Sequence, residues 1–269
     1  MTPKWLIEAD VFSAAEDERL IAELIRQKIP HVVTKFGKSY EEYFADFEDN
    51  DCVIFHGSLQ FGAMIRRKTN WTGLFCNLPK FECLYYYPHF GEHLLNGEYV
   101  MLPFGELNRR KDWLFANVGI DGKMFIRPSS GFKTFTGMVT SFETWDKDFK
   151  LFDLRIVPET LVLVSPPAKI NREWRIVVVD GKVIAGSEYK TDSPQNPPNE
   201  VFEYSQKVVN FSKFNPDPVW TIDVCETGSR EFKVVEVGSF SCAGLYACDP
   251  EPIVTQVTTI ALREWKNNL

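Results

Sequence analysis

The 269-residue chain has no apolar run near the roughly 18 residues that a membrane-spanning helix needs. Its start, Met1-Thr2-Pro3-Lys4-Trp5, lacks the long apolar stretch of a secretory signal. Both absences point to a cytoplasmic protein. Positive charge is also in short supply: 30 Lys and Arg face 37 Asp and Glu, for a net charge of −7. Nucleic-acid phosphates need a basic face, so this balance argues against a nucleic-acid partner, while a local basic pocket for a small anion stays compatible with it. Histidine is scarce. The single i, i+4 pair, His89 and His93, encloses Phe90-Gly91-Glu92 beside Pro88 and does not reproduce the HExxH zinc pattern. The six cysteines form no CxxC pair, and no His stands at zinc-ligand spacing from them. Several sit in apolar runs such as Cys52-Val53-Ile54-Phe55, as buried reduced thiols do. Cys242, near Gly244, has no sequence neighbour with which to form a Cys/His dyad. GxSxG, GxGxxG and Walker A are all missing, which removes the nucleophile-elbow, dinucleotide and P-loop signatures.

What is present is ordinary globular composition, 44% hydrophobic and 25% charged, with 22 phenylalanines that suit an aromatic-rich core. The pattern predicts an α/β protein in two parts, residues 1–110 and 111–269, the second α+β in character. In the first part, Trp5–Ala9, His31–Thr34 and Cys52–Phe55 read as strands. A helix through Leu20, Ile21, Leu24 and Ile25 starts at a capping box, Ser13 with Glu16. A Gly57-Ser58 turn leads to a second helix ending near Lys68. This β-α-β order has a parallel sheet as its simplest solution. Phe81–Tyr87 fits helix or strand, and Leu107–Asn117 reads as one helix.

The second part is dominated by strands. Met124–Pro128 stops at proline and precedes the glycine-bounded loop Ser129–Gly137. Thr160–Ser165 ends at Pro166-Pro167. Arg175–Val179, Asp180-Gly181 and Lys182–Ala185 form a hairpin. Thr191–Asn199 is a polar surface loop and Val201–Phe211 a helix. Trp220–Cys225 and Phe232–Val237 form two further strands, and Pro250–Trp265 a closing helix.

Three constellations could carry chemistry. Asp223 and Glu236 lie on consecutive strands. With an even-numbered turn they share a sheet face at about 5–8 Å, close enough to need a cation, and Mg²⁺ prefers one or two carboxylates plus phosphate oxygens. They read equally as solvated surface acids. Arg127 and Lys133 flank a glycine loop whose N–H groups could approach an anion, or they are two surface cations beside a turn. On the hairpin, pairing Val179 with Lys182 sets Arg175 against Gly186, Glu173 against Glu188 and Asn171 against Lys190. That register puts Arg175, Glu173, Glu188 and Lys190 on one face, either as a site or as a solvated charged surface.

The order of these pieces over residues 111–269 resembles the ATP-grasp superfamily: a strand with a basic residue, a flexible glycine loop, an apolar strand entering a hinge, an arginine-bearing hairpin, and two acidic residues on neighbouring strands. The resemblance implies an antiparallel ATP-grasp-like domain following the N-terminal β-α-β domain. It implies ATP and Mg²⁺ as cofactors and an activity that joins a carboxylate to an amine or similar nucleophile through an acyl phosphate. A phosphotransferase on the same fold, or a nucleotide-binding interaction protein without turnover, stays open. Arg127 and Lys133 would hold the phosphates, with Arg127 in place of the usual lysine. The backbone around Val164 and Ser165 would pair with adenine, while Lys169, Glu173 and Lys190 would contact nucleotide or acid. Arg175 would stabilise the acyl phosphate. Asp223 and Glu236 would bind metal, with Ser239 as a further ligand because Gly238 replaces the usual asparagine. The partners implied are ATP, a carboxylate-bearing substrate and an amine acceptor, with a peptide or protein among the candidates.

Overall fold

The computed structural model describes residues 2–35, 37, 44, 46–48, 50–132, 134–153 and 156–268. In chain order the elements begin with β1 (Lys4–Glu8), α1 (Ala14–Arg26), β2 (His31–Thr34), β3 (Val53–His56), α2 (Leu59–Lys68), α3 (Cys83–Phe90), β4 (Val100–Pro103), α4 (Phe104–Arg109), α5 (Lys111–Asn117) and β5 (Lys123–Pro128). They continue with β6 (Met138–Ser141), α6 (Trp145–Asp153), β7 (Leu161–Ser165), β8 (Ile170–Val179), β9 (Lys182–Tyr189), α7 (Asn199–Ser212), β10 (Val219–Thr227), β11 (Phe232–Ser239) and α8 (Pro250–Asn267). Among the described residues no helix is long and apolar enough to cross a membrane. The chain is a mixed α/β protein with antiparallel sheets.

The chain divides into two compact units, one of Met1–Asn77, Arg172–Val224 and Glu236–Leu269, the other of Leu78–Asn171 and Cys225–Val235. This division is drawn differently from a single cut near residue 110, because the chain leaves the first unit and returns to it twice.

In the first unit, β1 is the middle strand of a parallel sheet ordered β2-β1-β3. Trp5, Leu6 and Ile7 are wholly buried, which explains the uninterrupted apolar run: a central parallel strand is covered on both faces. Ser13 caps α1 by accepting the Glu16 N–H at 3.3 Å. The expected capping box is only half made, because the buried Glu16 carboxylate accepts the distant Leu245 N–H. After β3 the chain turns at Gly57, where a Cβ would stand 2.5 Å from Glu8 Cβ, and Ser58 caps α2. Trp5, Ile7, Leu20, Leu24, Val177, Val179, Val219, Phe240, Ile253 and Val257 belong to one core. At about 25 cal/mol per Å² of apolar surface, burying such side chains is the main stabilising term.

The second unit holds an antiparallel sheet ordered β4-β7-β5-β6. Its core includes Leu102, Phe104, Leu114, Met124, Ile126, Trp145 and Val162. The Phe81–Tyr87 stretch resolves as α3. The helix expected over Leu107–Asn117 is two helices, α4 and α5, broken at Arg110 (φ −108°, ψ 11°). Strand β6 and helix α6 were not foreseen from the sequence pattern.

Candidate active site

The β8–β9 hairpin sets the geometry of the first unit's polar cluster. Its turn, Asp180-Gly181, has φ of 48° and 73°, the two positive values that a type I′ hairpin turn requires. Val179 pairs with Lys182 as expected, but a bulge between Val177 and Val178 shifts everything beyond it by one residue. Arg175 faces Ser187, not Gly186. Glu173 faces Tyr189, not Glu188. A one-residue slip exchanges the faces of a strand. Glu188 therefore leaves the Arg175 face and pairs with Arg172 (2.9 and 2.7 Å), while Tyr189 enters it. Gly186 falls opposite Ile176, where a Cβ would lie 2.6 Å from Ile176 Cδ1 and 2.8 Å from Pro197 Cγ, so a larger residue would force these side chains to move.

The resulting cluster is buried. Arg175 donates through Nε to Asp223 Oδ1 (2.9 Å), through Nη2 to Oδ2 (2.7 Å) and through Nη1 to the Gly244 carbonyl (3.0 Å). The Tyr189 hydroxyl bridges Asp223 Oδ2, at 3.0 Å, and Glu173 Oε1. Lys190, in the left-handed conformation (φ 60°), donates to Glu173 Oε2 at 2.5 Å. Tyr189 stacks on Tyr246 at 4.9 Å, and the Arg175 guanidinium lies 5.5 and 5.3 Å from these two rings. Burial alone pulls the Arg175 pKa down, but the Asp223 carboxylate overrides it and holds the group well above its ordinary value. Burial, reinforced by the Asp223 and Glu173 charges, pushes the Tyr189 phenol well above its usual range. Burial likewise raises Glu16, whose backbone partner Leu245 adjoins Gly244.

Strand β11 neighbours β10, so Glu236 lies on the strand next to that of Asp223. Their turn is closed by the Thr227 N–H to the Glu231 carbonyl (2.8 Å), with Arg230 at φ 64°. The loop thus has three residues, an odd number, where an even turn was expected. In β11 the buried residues fall at Val234, Val237 and Ser239 instead of at every second position. A Cβ at Gly238 would stand 3.1 Å from Thr221 Oγ1, so these two positions share a face. Asp223 and Glu236 each stand two residues nearer the turn than this pair. The candidate donor set is the two carboxylates, hard oxygens that suit Mg²⁺; Ser239, the residue after Gly238, lies on the other face of β11, against Cys76 and Cys242, and does not join them. An ionised carboxylate offers about four lone-pair sites, and Asp223 uses three of them on Arg175 and Tyr189, so capacity for a metal bond remains. Among the described residues no three His, Cys, Asp or Glu side chains gather into a metal-binding group, which leaves any further ligands to phosphate or water.

Four other candidates lie in the second unit. Arg127, on β5 opposite Leu163, is half-buried and its Nη1 donates to the Val235 carbonyl at 3.4 Å. Val164 and Ser165 end β7 and are buried. Asn96 donates to Ser165 Oγ at 2.8 Å, and Ser165 Oγ donates to the Pro166 carbonyl at 3.2 Å. Lys169 is exposed, and its carbonyl accepts the Gly228 N–H at 3.0 Å. Lys133 lies outside the described residues. The structure thus brings Glu173, Arg175, Lys190 and Asp223 together in one cluster. Sequence reasoning missed Tyr189, Tyr246, Glu16 and the Gly244 carbonyl. Only Tyr189 left a signal, as the neighbour of Lys190 once the bulge is allowed for.

The chain resembles solved structures over nearly its full length. It is similar to the crystal structure of the D-cycloserine synthetase DcsG (10% identity, 96% of this chain and 99% of that one, TM-score 0.66). It is also similar to the D-alanine–D-alanine ligase of Bacillus anthracis complexed with ATP (12%, 99% and 99%, 0.61). A third is the ATP-grasp ligase PsnB with a minimal precursor (9%, 98% and 99%, 0.56). Identities this low establish the shared fold. No curated protein matches the chain in sequence. The model of an ATP-grasp domain family, the third family of its clade, matches residues 104–257, more than half of the chain and the part that carries β5 through β11. The chain belongs to this ATP-grasp family.

Proposed function

We propose that the chain is an ATP- and Mg²⁺-dependent ligase that joins a carboxylate to an amine, or to a similar nucleophile, through an acyl phosphate. The observation that carries this reading is the buried Arg175–Asp223 pair on β8 and β10, with Glu236 on the neighbouring strand, inside the family-matched region. A fold that only held adenine would have no use for a buried guanidinium paired with a carboxylate and a second carboxylate on the next strand.

Each residue has a role that its surroundings allow. Arg127, in the position where such enzymes commonly carry lysine, and Lys133 neutralise phosphate charge. Ser165 and the residues after it meet the adenine edge, since β4 begins opposite Val164 and β7 ends one residue past that pair, at Ser165. Val164 lines that edge from within the sheet. Lys169 and Lys190 are cations available to the nucleotide or the acid. Glu173 orients Lys190. Asp223 and Glu236 would hold Mg²⁺, which supplies electrostatic stabilisation of the transferring phosphoryl group when bound. Arg175 uses three of its five N–H donors on Asp223 and Gly244. Two remain to receive developing negative charge on an acyl phosphate. The part preceding about residue 110 would serve the substrate side. One similar structure is that of a ligase with a minimal precursor, so peptide carboxylates belong among the substrates to be screened. A cytoplasmic setting supplies the ATP that this reading needs.

Thermal unfolding with ATP, with ATP plus Mg²⁺, and with both on Glu236→Gln and Asp223→Asn tests the reading. A ligand at 100 times its Kd stabilises by about 2.7 kcal/mol. The expected result is a shift that needs Mg²⁺ and weakens in both variants, followed by phosphate release that depends on acid and amine together. The absence of any ATP shift, with or without metal, overturns it. Gly238, which has no side-chain oxygen where an asparagine is usual, favours a second reading, binding without turnover. That reading predicts the thermal shift with no product from any acid and amine pair.

A further inference from the structure

The sulfurs of Cys76 and Cys242 stand 3.6 Å apart, and Cys242 Sγ is also 3.6 Å from the Ser58 carbonyl oxygen. The stretches that carry the two cysteines are joined one residue before each. The Phe75 N–H donates to Ser241 Oγ at 3.0 Å, and the Ser241 N–H donates to the Phe75 carbonyl at 3.2 Å. Backbone pairing therefore keeps the sulfurs in contact. Arg66 Nη2 donates to the Cys76 carbonyl at 2.6 Å, which places a guanidinium beside this thiol. Cys76 is buried, whereas Cys242 is partly exposed and opens the pair to a small oxidant.

We propose that Cys76 and Cys242 form an oxidation site that hydrogen peroxide closes to an intramolecular disulfide. The Cys76 thiolate attacks one peroxide oxygen and the O–O bond breaks. Hydroxide leaves and takes up a proton as water, and Cys76 becomes a sulfenic acid. The Cys242 sulfur then attacks the Cys76 sulfur, the S–O bond breaks, and the second oxygen leaves as water with the Cys242 proton. Two thiols lose two electrons in total, and one peroxide is reduced to two waters. The sulfurs must close from 3.6 Å to about 2.05 Å, a change that side-chain torsions can supply while the Phe75–Ser241 pairing holds. The disulfide would tether Ser239–Gly244, the segment whose last carbonyl accepts from Arg175, to the stretch at Phe75. The step itself does not rest on the ligase reading.

The folded protein, treated with a small excess of hydrogen peroxide, alkylated with N-ethylmaleimide and digested without reductant, gives the test. The expected product is a peptide of residues 69–80 linked to the one carrying Cys242, released by dithiothreitol, with two alkylatable thiols lost per chain. Cys242→Ser, checked for native circular dichroism, abolishes the link, and Cys76→Ser does the same where it folds. Thiol loss without a linked peptide overturns the proposal. So does a linked peptide that persists in Cys242→Ser, which would name Cys248 as the partner.

Discussion

Arg175 grips Asp223 through two parallel hydrogen bonds, Nε to Oδ1 at 2.9 Å and Nη2 to Oδ2 at 2.7 Å, with both side chains buried. Paired this way the two charges satisfy each other, and removing either one strands the other in a low-dielectric setting. Asp223→Asn and Arg175→Met should each cost about 3–5 kcal/mol of stability. The double variant Arg175→Met/Asp223→Asn should cost clearly less than the sum, because no charge is left unpaired. Urea unfolding of the four proteins measures the coupling. Strictly additive losses would mean that the fork contributes nothing as a pair.

Much of this site was legible in the sequence, for a physical reason. Glu173, Arg175 and Asp223 lie in strands whose alternation and turn residues are written locally, and Asp180-Gly181 fixes the hairpin tip. The bulge at Val177/Val178 was not legible, because nothing in a Val-Val-Val run distinguishes a regular strand from a bulged one. That single irregularity moved Glu188 off the face and Tyr189 onto it. Tyr246 and Glu16 were hidden for another reason: each reaches the cluster by tertiary folding, and the local pattern around Glu16 pointed to a helix cap instead of the distant Leu245 N–H that it accepts. The break at Arg110 and the strand at Met138–Ser141 likewise depend on packing, not on local propensity.

His56 is buried, its Nε2 meets the Ala243 carbonyl at 3.1 Å, and its ring lies near Phe12 and Phe240. Burial pulls its pKa down to about 4, below the roughly 6.5 of an unfolded histidine. Between these values the unfolded chain binds the proton and the folded chain does not. The stability tied to neutral His56 is therefore fully present above about pH 6.5 and is lost as pH falls toward 4, at about 1.4 kcal/mol per pH unit. His56→Phe should lower stability at pH 7.5 by about 1–3 kcal/mol, through the unpaired Ala243 carbonyl, and should flatten this slope. Melting temperatures from pH 4.5 to 7.5 give the comparison, and parallel slopes would count against a neutral buried histidine.

Asn96 is buried and donates to Ser165 Oγ at 2.8 Å, so it fixes the point where β7 leaves the sheet. If Ser165 and its successors meet adenine, Asn96→Ala should weaken ATP binding about 5-fold, near 1 kcal/mol, through a loosened strand end. Titration calorimetry with ATP reads this directly. An unchanged ATP Kd in a variant of native stability would detach Asn96 and Ser165 from the nucleotide.

Glu173 and Glu188 were expected to face each other, and the bulge gives them opposite fates. Glu173 is buried, accepts from Lys190 at 2.5 Å and is bridged by Tyr189. Glu188 forms an outward pair with Arg172, itself two-fifths exposed, and solvent screens that attraction. Glu173→Gln keeps one acceptor oxygen but loses the charge that holds Lys190 and the phenol, and should cost about 1–3 kcal/mol. Glu188→Gln should cost less than about 1 kcal/mol and lose even that at high salt, where exposed pairs are screened within about 3 Å. Chemical denaturation of the two variants at low and at 1 M salt separates them. Equal losses, or a larger one at Glu188, would restore the unbulged register in which both carboxylates share the Arg175 face.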